Sequence, residues 1–477
     1  MATFATQFGI KRHQADLDFV NVQLNGDTPL YVCPFAISQL GNTESDAATA
    51  CIRSFFTELI NSLRGKDKSK CLRLLSNLHE PNETFLGVSA GRPRGRGVGT
   101  LKAGDLMDAL LSSRAVKTGQ LRDLSETALF IPGFGRDTVS DLATNVLRDH
   151  LATYTEAQCA LHGVPTRTIR SLGPHWDPMT RRWVKGTYRL PLYERRPVVL
   201  VPKDYVRFSL SLESKDFYNH EMVEFYQAEH LSAGSALVET LKDGRKRVTK
   251  KSVKEVHGGS KDEIAHFANE YPSILEAYKE RRSSTKPLRT FELKPGFSEA
   301  DHASELATEL ARIPAGKASA TQYHSLVAAI LTFLFHPDLV HPVMEQEIHE
   351  GRKRIDIRFS NSANSGFFLR VLSGSVTRAI SVPVECKNYA SDPSNPELDQ
   401  LSCRFSLHRG KFGILTCRTL ADERLWIKRL VDTYRDDRGA IVTLTDADLI
   451  KLLSLRGDSK FREIERFMNS RFDQLLK

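Results

Sequence analysis

The segment Val382-Pro-Val-Glu-Cys-Lys-Asn-Tyr389 decides how the rest of the chain is read. Its apolar opening predicts a buried strand, yet it carries an acid and an ammonium two residues apart. Alternation along a strand puts Glu385 and Lys387 on one face and turns Cys386 to the other, into the core. Burying a carboxylate and an ammonium together is costly unless the two have a role. Asp356 comes 29 residues before Glu385, in Arg354-Ile-Asp-Ile-Arg358 followed by Phe359. There Ile355, Ile357 and Phe359 share one face of a strand, and Asp356 leaves it.

Two acids and an ammonium suit hydrolysis of a phosphodiester. The carboxylates can hold a hard cation such as Mg²⁺ through oxygen ligands, with positions left for water and a phosphate oxygen. Such an ion polarises the phosphorus and lowers the pKa of a bound water. A lysine beside it can orient or deprotonate that water and stabilise the charge that builds on the phosphate. A salt bridge between Glu385 and Lys387 at the surface is the bland alternative, and the apolar flanks of the strand weigh against it.

Outward from these residues, the hydrophobic periodicity predicts a long apolar helix over 318–335 and strands over 343–349, 354–359 and 380–387. A helix with Pro396 in its first turn follows to about residue 408, then a strand over 411–417. A helix over 422–435, a strand over 440–445 and a helix over 446–455 close the unit. The order is α-β-β-β-α-β with an α-β-α extension, an α/β pattern that argues for a sheet covered by helices on both faces.

Asp356 followed by Glu385-Cys386-Lys387 resembles the PD-(D/E)XK signature of the restriction-endonuclease-like superfamily, and the predicted order matches that family's αβββαβ core. Glu350-Gly-Arg-Lys-Arg-Ile-Asp-Ile-Arg358, Val384-Glu-Cys-Lys-Asn-Tyr389 and Leu398-Asp-Gln-Leu401 are especially similar to Mrr-type defence nucleases of bacteria. The resemblance covers about residues 318–450. It implies DNA cleavage dependent on Mg²⁺ or Mn²⁺, with Asp356 and Glu385 as metal ligands, the Cys386 carbonyl as a backbone ligand and Lys387 as the catalytic lysine. Gln400, on the next helix, matches a polar residue such nucleases carry there. Many relatives place a further glutamate on the first helix. Here that helix reads Thr321-Gln-Tyr-His-Ser-Leu, so Glu345 and Glu347 on the first strand are the candidates, Glu347 preferred. His324 reads as a helix-surface or core histidine. Arg352, Lys353, Arg354 and Arg404 flank the signature as candidate nucleic-acid contacts.

The 477 residues are too many for one ordinary core, and the pattern predicts two units. Residues 1–290 read as a larger α+β region that recognises a target or partner. Residues 291–317 read as a connector with one helix in it, and 318–477 as the nuclease domain. The N-terminal region shows helical spacing over 47–64 and 139–161, a candidate hairpin over 183–193 and a short buried strand over 197–202. A glycine-rich loop carries Arg92, Arg94 and Arg96, which can follow phosphates. Phe130-Ile-Pro-Gly-Phe-Gly135 resembles a helix-hairpin-helix turn, against the plainer reading of a turn that caps the next helix. The lysine-rich stretch 242–254 reads as a solvated face.

The net charge of +9 is compatible with a polyanionic partner. Seven scattered cysteines with no Cys-x-x-Cys pair suggest reduced, buried thiols rather than a disulfide scaffold or a zinc knuckle. The longest apolar run, 326–335, is about half of what a membrane helix needs, and residues 1–7 lack the pattern of a secretory signal. The expectation is a cytoplasmic protein with DNA as partner, further protein partners if it serves a defence system, and no membrane. Cutting both strands would favour a homodimer, since each chain carries one such site. Two readings stay open beside the DNA nuclease: a non-catalytic nucleic-acid-binding subunit on the same scaffold, and an RNA-cleaving enzyme.

Overall fold

The computed structural model describes residues 2–87, 100–170, 172–283, 287–288, 290–294, 296–348 and 353–477. For residues 100–102, 291, 345–348, 353 and 354 it describes the backbone alone. Two large hydrophobic cores divide the chain, with a small third cluster of Val223, Val248 and Val253. The first runs from Phe4 to Tyr278, with Leu288 and Leu293 on its margin. The second gathers Phe297 to Leu475 and borrows Ala15 and Leu161 from the N-terminal region.

In the first core, helix α1 (Thr43–Arg64) starts at Asn42, whose side chain accepts from the Ser45 amide. It buries Cys51, Ile52, Phe55, Phe56 and Leu59 at helical spacing. The single helix expected over 139–161 is two, α2 (Arg136–Val146) and α3 (Arg148–His162). They part at Leu147 because the Arg148 guanidinium turns inward, donating to Asn145 Oδ1 (2.8 Å), Glu83 Oε1 (3.1 Å) and the Pro174 carbonyl.

The hairpin expected over 183–193 does not form either. Arg182–Lys185 pairs back with Pro174–Asp177, and Tyr188–Leu190 pairs with Arg167–Ile169. Packing overrides local sequence here: the Trp183 ring meets Phe55 and Trp176 edge-on, and its indole N–H donates to the Leu74 carbonyl at 3.1 Å. Residues 198–201 are buried as expected but belong to no named strand. The amides of Val198, Val199 and Leu200 go instead to the Pro191 and Glu83 carbonyls and to Thr155 Oγ1.

The helix inside the expected connector, α4 (Glu299–Arg312), packs with the C-terminal unit. Ala303, Leu306 and Leu310 enter the second core. Next, α5 (Ala320–Phe335) is the apolar helix the sequence predicts. The stretch Lys317–Phe335 is long and apolar enough by composition to cross a membrane, but its apolar side chains are spent on the second core.

Strands β1 (Leu339–Ile348), β2 (Lys353–Asn361), β3 (Ser381–Lys387), β4 (Phe412–Cys417) and β5 (Ala440–Thr445) form one sheet in that order. The first two pairings are antiparallel and the last two parallel. Helix α6 (Gly366–Ser373) lies between β2 and β3, and three helices match the expected order: α7 (Asn395–Ser402), α8 (Glu423–Arg435) and α9 (Asp446–Gly457). Helices α6 and α10 (Phe461–Asp473) were not expected. Helix α7 stops at Ser402, six residues short of the predicted end. The chain there folds into a Ser406–Gly410 turn, and Gly410 (φ 98°) lies so close to Arg378 that any Cβ would collide with its carbonyl.

The molecule is thus mixed α/β with a five-stranded C-terminal sheet. The two units dock closely. Arg12 grips Glu309 with both guanidinium nitrogens (2.8 and 3.1 Å), Gln158 donates to the Pro342 carbonyl, and Ser362 Oγ donates to the Leu40 carbonyl. Cys33, Cys51, Cys71, Cys159, Cys386 and Cys417 are buried free thiols, and Cys403 is exposed.

Candidate active site

Every residue of β3 is buried, so its two faces differ in chemistry and not in depth. Val382, Val384 and Cys386 face the apolar core. Cys386 is 3% exposed there, and burial pushes its thiol pKa well up. Glu385 and Lys387 occupy the other face at 1% and 8% exposure. Their salt bridge, Nζ to Oε1 at 2.8 Å, is therefore not the surface pair of the bland reading. Lys387 Nζ also donates to Gln400 Oε1 on α7 at 3.0 Å and lies 5.9 Å from the centre of the Tyr389 ring.

Asp356 comes from β2. The β2–β3 ladder is last paired at Ile357 and Val384, and its register, carried one pair further, sets Asp356 against Glu385 on the same face. The strands part there. The Cys386 amide, which has no strand partner at that point, donates to Asp356 Oδ2 at 2.9 Å. The Cys386 carbonyl lies 3.2 Å from His324 Nε2, at the start of α5. His324 thus stands at the site, where the expectation was a helix-surface or core histidine. Asp356 and Gln400 are half-buried and Tyr389 is exposed, so the cluster opens to solvent with Glu385 at its base.

The electrostatics of the pair are unbalanced. Burial pushes the Glu385 pKa up to about 7, and the Asp356 charge adds to the rise, against the pull of Lys387 and Arg404. For Lys387, burial opposes the charged form but Glu385 outweighs it, and its pKa is raised. Glu385 Oε2 is buried and has no hydrogen-bond partner. Two adjacent carboxylates, one with an open oxygen, fit a hard divalent cation better than they fit each other. Among the described residues no group of three or more His, Cys, Asp or Glu is gathered as a metal cluster. Here the described donors would be two acids and a backbone carbonyl.

The remaining sequence candidates divide. Arg404 is 6% exposed and close enough for its charge to act on Glu385. The register pairs Glu347 with Arg354, two residues before Asp356, but the side chains of Glu347, Lys353 and Arg354 lie outside the described residues. Arg352, Arg92, Arg94 and Arg96 lie outside them altogether. In the turn after Phe130, the Ile131 and Phe134 carbonyls both accept from Lys261 Nζ (2.9 and 2.8 Å), which ties the turn to the helix Lys261–Glu270. In the lysine-rich stretch, Lys250 pairs with Glu224 and Lys254 with Asn219, so these charges are engaged locally. Arg358, two residues along β2 from Asp356, was legible from the same alternation and was missed.

A family described as a domain of unknown function (DUF8370) matches residues 9–213, within the N-terminal region. No curated protein and no solved structure matches the chain.

Proposed function

We propose that this protein is a metal-dependent nuclease that hydrolyses DNA phosphodiester bonds, with a restriction-endonuclease-like core built on the C-terminal sheet. One observation carries the reading. Asp356 and Glu385 meet at the point where β2 and β3 part, with Lys387 and Gln400 bonded beside them and one buried Glu385 oxygen open.

Asp356, Glu385 and the Cys386 carbonyl would hold Mg²⁺ or Mn²⁺, which when bound would polarise a phosphodiester and acidify a water. The chain's own residues do the rest. Lys387, with its pKa raised, keeps its proton at neutral pH and presents Nζ–H as a donor to the charge that builds on a phosphate. Gln400 and Glu385 fix where that ammonium points, since each accepts one of its hydrogens. The Cys386 N–H orients Asp356 by holding Oδ2, leaving the other oxygen to bind. His324, at the Cys386 carbonyl, restrains the backbone at the same place. The resemblance extends this reading to defence against foreign DNA.

Incubation with plasmid and Mg²⁺ tests it, with parallel single-stranded DNA, duplex DNA and RNA substrates. Nicking of DNA that Asp356→Ala and Lys387→Ala both abolish is the expected result. Cleavage that survives both would place the chemistry elsewhere, and cleavage of RNA alone would overturn the substrate.

A further inference from the structure

The face of β2 and β3 that carries the acids continues past them. The register sets Arg358 against Pro383 and Ser360 against Ser381, so these four share the side of Asp356 and Glu385. Two more cations reach this strip from the segment after α7. Arg404 is nine-tenths buried. Arg409 donates through Nε to the Arg404 carbonyl at 3.0 Å, and its own carbonyl accepts from the Ser381 amide at 3.0 Å. Arg358 Nη1 reaches Glu44 Oε1, at the start of α1, at 3.3 Å, and Ser360 Oγ at 3.2 Å.

Three buried polar atoms of this strip have no hydrogen-bond partner: Arg358 Nε, Arg404 Nε and Ser381 Oγ. A buried guanidinium N–H without an acceptor is costly, and two side by side call for a common explanation. Arg358 and Arg404 also lie close enough to Arg409 for their charges to act on it. Arg409 is held below the usual guanidinium range, first by burial and then by the Arg358 and Arg404 charges. An anion with several acceptor oxygens answers both deficits at once, and the planar fork of arginine matches phosphate.

We propose that Arg358, Arg404 and Arg409 form a phosphate subsite separate from the acid pair. It takes the phosphate next along the DNA strand from the one lying at Asp356 and Glu385. The choice of DNA as the ligand rests on the nuclease reading above; the anion site itself does not. Arg358 lies two residues along β2 from Asp356, roughly 6.6 Å at the usual strand rise, which suits neighbouring phosphates of one strand. Glu44 holds Arg358 in the DNA-free protein, so the N-terminal region supplies the group that an incoming phosphate must displace.

Equilibrium binding of a fluorescein-labelled DNA duplex in EDTA tests this without cleavage. Arg404→Gln and Arg409→Gln should each weaken binding about tenfold and reduce the slope of log affinity against log salt by roughly 0.9. Arg404→Lys keeps the charge and should restore most of that slope, which separates a lost contact from a lost fold. Glu44→Gln should tighten binding, by releasing Arg358. Wild-type affinity and slope in both Gln variants would overturn the subsite. The two proposals fail separately. Arginine-dependent binding without any Mg²⁺-dependent cutting would sink the nuclease and leave the subsite. Cutting by a protein whose binding ignores Arg404 and Arg409 would do the reverse.

Discussion

Two groups of buried charges sit in this molecule, and they are finished to different degrees. The first lies at the junction of the two units. Asp16 bonds His302 (2.6 Å) and the His13 amide (3.2 Å), Asp18 accepts from Tyr154 (2.8 Å) and from the His341 amide (3.1 Å), and Asp204 meets His336 (2.6 Å). Burial works against the Asp204 carboxylate, but His336 and Lys203 hold its pKa below the usual range. The second group lies on the polar face of β2 and β3, where Glu385 Oε2, Arg358 Nε and Arg404 Nε have no hydrogen-bond partner. Each junction carboxylate has its partners, although His341 Nε2 and Gln158 Oε1 beside them have none; ionised groups that only hold a fold together are paired by the fold. Those awaiting a ligand keep valences open, and stability is given up to do so.

This contrast can be broken by mutation. Asp204→Ala should have the largest effect on stability, a loss of about 3–5 kcal/mol, because it strands His336 and Lys203 in the interior. Chemical denaturation measures it, and a loss under about 1 kcal/mol would mean the junction is not a structural cluster.

Metal should act on the second group alone. At a hundredfold excess over its dissociation constant, Mg²⁺ should add about 2.7 kcal/mol of stability. The sign of its pH dependence follows from Glu385. With a pKa raised to about 7, this acid is largely protonated at pH 6 and ionised at pH 8. Protons compete with the cation below about 7, so the rise in melting temperature with Mg²⁺ should be larger at pH 8 than at pH 6. An equal rise at both would mean that the cation binds elsewhere.

Removing a charge should have opposite signs in the two groups. Asp356→Asn relieves the repulsion on Glu385, and without metal it should stabilise the protein by about 1–2 kcal/mol, roughly the weight of one pKa unit. A destabilisation as large as that of Asp204→Ala would erase the distinction. The smallest effect sharpens the role of α7. Gln400→Ala removes one of the two side chains that accept from Lys387 and should slow cleavage about tenfold, near 1.4 kcal/mol. The melting temperature should scarcely move.

The two groups also differ in how far the sequence exposes them. Asp356, Glu385 and Lys387 are legible because a strand's alternation is local: the apolar neighbours of each residue say which way it points. Gln400 was reached only through the resemblance, since its helix carries other polar residues, Glu397 and Asp399 among them. His324 and Arg409 are not legible, since their places depend on how α5 lies on the sheet and on a turn forced by the close approach of Gly410 to Arg378. The junction acids are invisible for the same reason, since their partners lie far away in the chain. The N-terminal region was misread wherever a distant group decided local structure, as Glu83 and Pro174 do through Arg148 between α2 and α3 and as Phe55 and Leu74 do for Trp183. The order of elements along the C-terminal unit was readable because its strands and its long apolar helix differ clearly in hydrophobic period, whereas helix α6 between β2 and β3 was not read.

The most direct trial of the account is plasmid cleavage by the purified full chain in Mg²⁺, with Asp356→Ala, Lys387→Ala and an EDTA control alongside. Nicking by the wild type is predicted, with loss of at least about a thousandfold in each variant and in EDTA. Wild-type rates in Asp356→Ala, or cutting that ignores EDTA, would contradict it.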